Sequence, residues 1–80
     1  MNGGKAIFVV ESGWVFLAEG FDKVGGEYRL RGASTIRRWG TTKGLGELSL
    51  SGPTKDTVLD PCGNPIIPVG KVLFLLPCTY

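Results

Sequence analysis

Ala6-Ile7-Phe8-Val9-Val10, then Glu11-Ser12-Gly13, then Trp14-Val15-Phe16-Leu17-Ala18 is the stretch whose reading decides the fold. Two five-residue runs rich in β-branched and aromatic side chains flank three residues of turn chemistry, which is the pattern of a β-hairpin. Neither run alternates between apolar and polar. Both faces of each strand therefore leave water, and so do both faces of a third uninterrupted apolar run, residues 72–76. A chain of 80 residues buries only about 60% of the surface its unfolded form exposes, too little to cover both faces of three strands alone. A homo-oligomer is expected, with another subunit packed on the outer faces.

Outward from the hairpin, residues 21–26 carry Asp22, Gly25 and Gly26 and are expected to turn. Glu27-Tyr28-Arg29-Leu30-Arg31 alternates strictly, which sends Tyr28 and Leu30 inward and three charges outward. Residues 34–39 continue in extended register as a fourth strand, with Thr35, Arg37 and Trp39 on one face and Ile36 on the other. A hydroxyl residue, Thr41 or Thr42, precedes a segment with Leu45 and Leu48 three apart and Glu47 in its first turn, so one to two turns of helix are predicted. Residues 53–68 hold four of the five prolines together with Gly63 and Asn64, and read as a loop without regular structure. Within it, residues 60–65 either close over a ligand as a lid or simply connect. Residues 71–76 form the last strand, closed by Pro77. The expected fold is mainly β, a single small domain over residues 1–80 with about five strands and one short helix. It is either a small SH3-like barrel or a strongly bent antiparallel sheet.

Composition narrows the function. Hydrophobic residues are 42% and charged residues 20%, the balance of a folding chain rather than a disordered one. The net charge of +2 is too weak for the whole-chain field to attract duplex DNA or RNA. The apolar run after Met1-Asn2-Gly3-Gly4-Lys5 is shorter than a signal peptide needs, and no stretch approaches a membrane span, so a cytoplasmic protein without membrane contact is expected. In that compartment Cys62 and Cys78 stay reduced, and Cys78 serves as a small core residue. The chain has no histidine, and its seven carboxylates are scattered without a close pair. General acid–base chemistry, an activated cysteine and a four-ligand zinc site within one chain all lack their parts. Binding without catalysis, cofactor or metal is the expectation.

One segment has the chemistry of a binding site. Arg37 and Arg38 offer guanidiniums for bidentate bonds to phosphate, Trp39 an indole that stacks on a base, Thr41 and Thr42 hydroxyls, Lys43 an ammonium and Gly44 an exposed backbone N–H. The spacing is not that of a Walker A loop. On the alternative reading of the same residues, Trp39 is core, the arginines are solvated and a threonine caps the helix. Trp14 divides in the same way, between a core or interface residue and a stacking platform for a ligand.

Several segments taken in order resemble a family of small phage and prophage proteins of unknown function. They are Ser12-Gly13-Trp14-Val15-Phe16, residues 32–39 (Gly-Ala-Ser-Thr-Ile-Arg-Arg-Trp), Gly44-Leu45-Gly46-Glu47-Leu48 with Gly52, and residues 67–69 through 76–79. The helix here departs from the alanine- and serine-rich run usual in that family, as does the middle loop. The resemblance implies a viral protein at work in the cytoplasm of an infected bacterial host. It also places the chain beside the small phage "sponges" that sequester nucleotide signals of defences such as CBASS and Thoeris. The function so implied is capture, without cleavage, of a cyclic oligonucleotide or cyclic ADP-ribose isomer by Arg37, Arg38, Trp39, Thr41, Thr42, Lys43, Gly44 and Trp14. A single-stranded nucleic-acid binder and a phage protein–protein adaptor or minor virion component are the alternatives.

Overall fold

In the computed structural model, which describes residues 2–42 and 44–80, the two apolar runs pair as antiparallel strands β2 (Ala6–Val10) and β3 (Trp14–Ala18). Ala6 stands opposite Ala18, and Val10 opposite Trp14. Between them Ser12 and Gly13 both take positive φ, 69° and 84°, so the tight reversal uses a small polar residue and a glycine where bulkier side chains would be strained. The rest of the chain is built on this hairpin.

Preceding it is β1 (Asn2–Gly3), and following it are β4 (Gly20–Val24), β5 (Glu27–Arg31) and β6 (Ala33–Arg38). Then come the helix α1 (Gly44–Ser51) and strands β7 (Val58–Gly63), β8 (Ile66–Pro68) and β9 (Val72–Pro77). They form a five-stranded sheet in the order β7-β6-β3-β2-β9 and a four-stranded sheet in the order β1-β4-β5-β8, with every pairing antiparallel. The fold is mainly β with one helix, as expected. The sheets do not close into a barrel, and a strongly bent sheet is the description that fits.

The central sheet is covered on both sides by the chain itself. Toward the smaller sheet, Ala6, Phe8, Val10, Ala18 and Ala33 pack with Phe21, Leu30 and Ile67. Phe8 meets Phe21 and Tyr28 edge-to-face, with ring centroids 5.0 and 5.1 Å away. Toward the helix, Ile7, Leu17 and Ile36 pack with Leu48, flanked by Val15, Leu45, Leu59, Leu76 and Cys78. Ile7 and Phe8, neighbours in sequence on opposite faces, are both fully buried. This corrects the argument that another subunit must cover β2: a short helix and a second sheet suffice. On β9 the large apolar side chains Leu73 and Phe74 stand in water, as do Trp14 on β3, Val24 on β4 and Ile66 on β8.

Two segments expected to be irregular are strands. Gly20–Val24 pairs along its whole length with β5, and the turn shrinks to Gly25 and Gly26. The proline-rich stretch 53–68 contains β7, paired with β6, and β8, paired with β5. Pro61 and Pro68 are tolerated because β7 and β8 each lie at the edge of a sheet, where a missing N–H breaks no ladder on the outer side. With them and β1 the strand count among the described residues rises from the expected five to nine, and residues 60–65 are not a lid. Asn64 accepts a hydrogen bond from the Gly32 N–H at 3.0 Å and fastens the end of β7 to the start of β6. Among the described residues no helix is long and apolar enough to cross a membrane.

Candidate functional site

The antiparallel register gathers the sequence-predicted residues at one end of the larger sheet. Phe16 pairs with Thr35, so Trp14, two residues before Phe16, and Arg37, two after Thr35, emerge on neighbouring strands at the same end. The 3-10 turns 11–13 and 69–71 and the segments 39–42 and 54–57 lie there too.

Residues 39–42 are tied down by hydroxyls. Thr57 Oγ1 donates to the Trp39 carbonyl and Thr54 Oγ1 to the Gly40 carbonyl, both at 2.6 Å. Thr57 Oγ1 in turn accepts from the Thr54 N–H at 2.9 Å. Gly40 has φ 67°, and a β-carbon there would lie 2.3 Å from the carbonyl carbon of Asp56, so the two segments touch backbone to backbone. Thr41 Oγ1 donates to the Gly44 carbonyl and Thr42 Oγ1 to Glu47 Oε1 at 3.0 Å, which commits both hydroxyls to the start of α1. The indole of Trp39, 45% exposed, packs against Gly44, whose φ of 73° brings the helix start under the ring. Arg37 is ion-paired with Asp60 on β7, and Arg38 is exposed. Lys43 lies outside the described residues. The threonines are thus helix-start residues, and Trp39 is half-buried packing for that start.

Trp14 is placed differently. It is 55% exposed and lies nearly parallel to Phe16, with an interplanar angle of 6° and centroids 6.1 Å apart. Together they form one wall of a cleft of about 270 Å³, whose other lining residues are Val10, Ile66, Ile67, Pro68 and Lys71. The cleft opens where β8 of the smaller sheet passes the β2–β3 end of the larger one. Its walls are apolar except at Lys71, whose ammonium stands 3.4 Å from Glu11 on the rim. Both partners of that pair are about half exposed, so it contributes no more than about 1 kcal/mol and yields readily to a better anion.

Sequence reasoning placed Trp14 among the ligand residues but missed Ile66, Pro68 and Lys71. Ile66 and Pro68 lie in the proline-rich stretch expected to be a loop, and the pairing of β8 with β5 brings them opposite Trp14; Lys71, expected to open the last strand, ends the 3-10 turn before β9. The available signal was an apolar Ile66-Ile67 between Pro65 and Pro68, a short edge strand.

The perturbed acids lie elsewhere. Burial pushes the Cys78 thiol up, opposed by the nearby Lys5 ammonium. Burial and the neighbouring Cys78 push the Tyr80 phenol up to about 12. The Lys5 ammonium rests 4.4 Å from the centre of the Tyr80 ring, and the thiol and phenol stay protonated at neutral pH. Cys62 and Cys78 are both free thiols. No group of three or more His, Cys, Asp or Glu side chains is placed to hold a metal among the described residues. No family model, no curated protein and no solved structure matches this chain.

Proposed function

We propose that the protein acts by binding, without turnover, and that its ligand is a planar, ring-bearing anion of nucleotide type seated in the cleft beside Trp14. The observation that carries this reading is the stacked Trp14–Phe16 pair, which presents an exposed indole face in an apolar recess with one cation at its rim. A base stacks on the indole, a contact worth about 1–3 kcal/mol. Val10, Phe16, Ile66 and Pro68 exclude water around it. A phosphate takes Lys71 from Glu11, and one extending toward β6 takes Arg37 from Asp60, exchanging exposed ion pairs with carboxylates for charge-assisted bonds to phosphate oxygens. Arg38 adds a further cation at this end of the sheet. Thr41, Thr42 and Trp39 support the segment that carries the arginines.

The resemblance to small phage proteins gives this binding a purpose: an anti-defence protein that sequesters a cyclic nucleotide-type immune signal in the infected host. Titration calorimetry with cyclic dinucleotides, cyclic trinucleotides and glycocyclic ADP-ribose tests it. At least one ligand should give saturable heat and be recovered intact after the protein is denatured. Absence of heat with all of them at tens of micromolar ends the reading. Binding of an oligonucleotide instead, with affinity falling steeply as salt rises, transfers the site to single-stranded nucleic acid.

A further inference from the structure

A sheet edge exposes unpaired N–H and C=O groups that another strand can complete, and proteins guard such edges with short strands, proline or charge. Three edges here are guarded. The smaller sheet ends on β1, two residues long among the described residues, and on β8, three residues long with Pro65 before it and Pro68 at its end. The larger sheet ends on β7, which carries Asp60 in an ion pair and Pro61 with no N–H to give. Its other end, β9, is built the opposite way. Val72-Leu73-Phe74-Leu75-Leu76-Pro77 has no charge, and its proline comes only at the last position. Leu73 is 62% exposed and Phe74 51%, and among the described residues no other edge strand exposes two large apolar side chains. A register shift opposite Val9 and Val10 sets Leu73 out of the ladder, leaving the run from Phe74 onward regular.

We infer that β9 pairs antiparallel with β9 of a second copy across a two-fold axis, joining the two five-stranded sheets into one. The occupant follows from the comparison of edges. Head-to-tail pairing, β9 on β7, would propagate into an open fibre, and Pro61 and Asp60 block it. The remaining combination is β9 on β9, which closes after two copies. An uncharged strand also meets its own copy without placing like charges opposite each other. A two-fold axis normal to an antiparallel pair sets a residue opposite its own copy, and with the axis beside Phe74 the two exposed Phe74 side chains share a face and cover each other. This pairing does not depend on what the Trp14 cleft binds.

Light scattering and sedimentation of the full chain, from low micromolar to several hundred micromolar, test it. The expected mass at the upper end is twice the 8.6 kDa of one chain. Phe74→Lys should be monomeric throughout with unchanged far-UV circular dichroism, and Leu73→Lys, at the more exposed position, serves if Phe74→Lys fails to fold. In wild type, hydrogen exchange over residues 72–77 should slow as concentration rises while residues 58–63 do not change. A wild-type mass of one chain at every concentration overturns the proposal. So does a dimer that survives both substitutions, or concentration-dependent protection of 58–63 instead of 72–77.

Discussion

Residues 39–42 and the cleft beside Trp14 lie at the same end of one sheet, carry similar chemistry and are put to opposite uses. In the first, hydroxyls and backbone carbonyls are bonded to Thr54, Thr57 and the start of α1, and a glycine touches the facing backbone. In the second, an indole face, apolar walls and a weakly paired ammonium are left open. Residue type states what a side chain is able to bind. Whether it is available depends on what the fold has already given it, and donors already bonded internally add little to a ligand.

The largest effect expected from breaking this division comes at Gly40. Gly40→Ala forces an L side chain into a left-handed conformation and a methyl into the Asp56 backbone, costing about 3 kcal/mol from the two causes together in urea unfolding. Trp14→Ala should act on the other side of the division: the fold persists by circular dichroism, and calorimetry shows nucleotide affinity falling by about ten- to a hundredfold, the worth of one stacked base. Thr57→Val removes the bond to the Trp39 carbonyl and the acceptor for the Thr54 N–H, a loss of about 1–2 kcal/mol in stability with ligand affinity unchanged. A large affinity loss in Thr57→Val with stability intact would erase the distinction between the two regions. Lys71→Gln is the mildest. Its stability stays within about 0.5 kcal/mol of wild type, because the pair with Glu11 is exposed. Its affinity drops several-fold at low salt and converges on wild type as salt rises.

Much of this architecture was legible in the chain. The hairpin Ala6–Ala18 was read correctly because its apolar runs and its Glu11-Ser12-Gly13 turn agree, and Glu27–Arg31 because alternation leaves one register. The strands β4, β7 and β8 were hidden, since glycine, aspartate and proline are turn residues in isolation and become strand residues only beside a partner already in place. The double-sided burial of β2 was legible, but its cause was not: that α1 and the smaller sheet would take one face each is a matter of topology. For the site, Trp14 could be singled out by type, whereas the threonines holding 39–42 lie 14 and 18 residues away from their carbonyls, beyond any local pattern.

The pairing of β2 with β9 has a kinetic side. Ala6 stands opposite Pro77, so the central sheet is completed by two strands from nearly opposite ends of the 80 residues. Such a contact closes a long loop before any pairing energy returns, which puts folding on the millisecond-to-second scale of β proteins with distant partners. During that interval Ala6-Ile7-Phe8-Val9-Val10 lacks its neighbour, and refolding yield should fall as protein concentration rises.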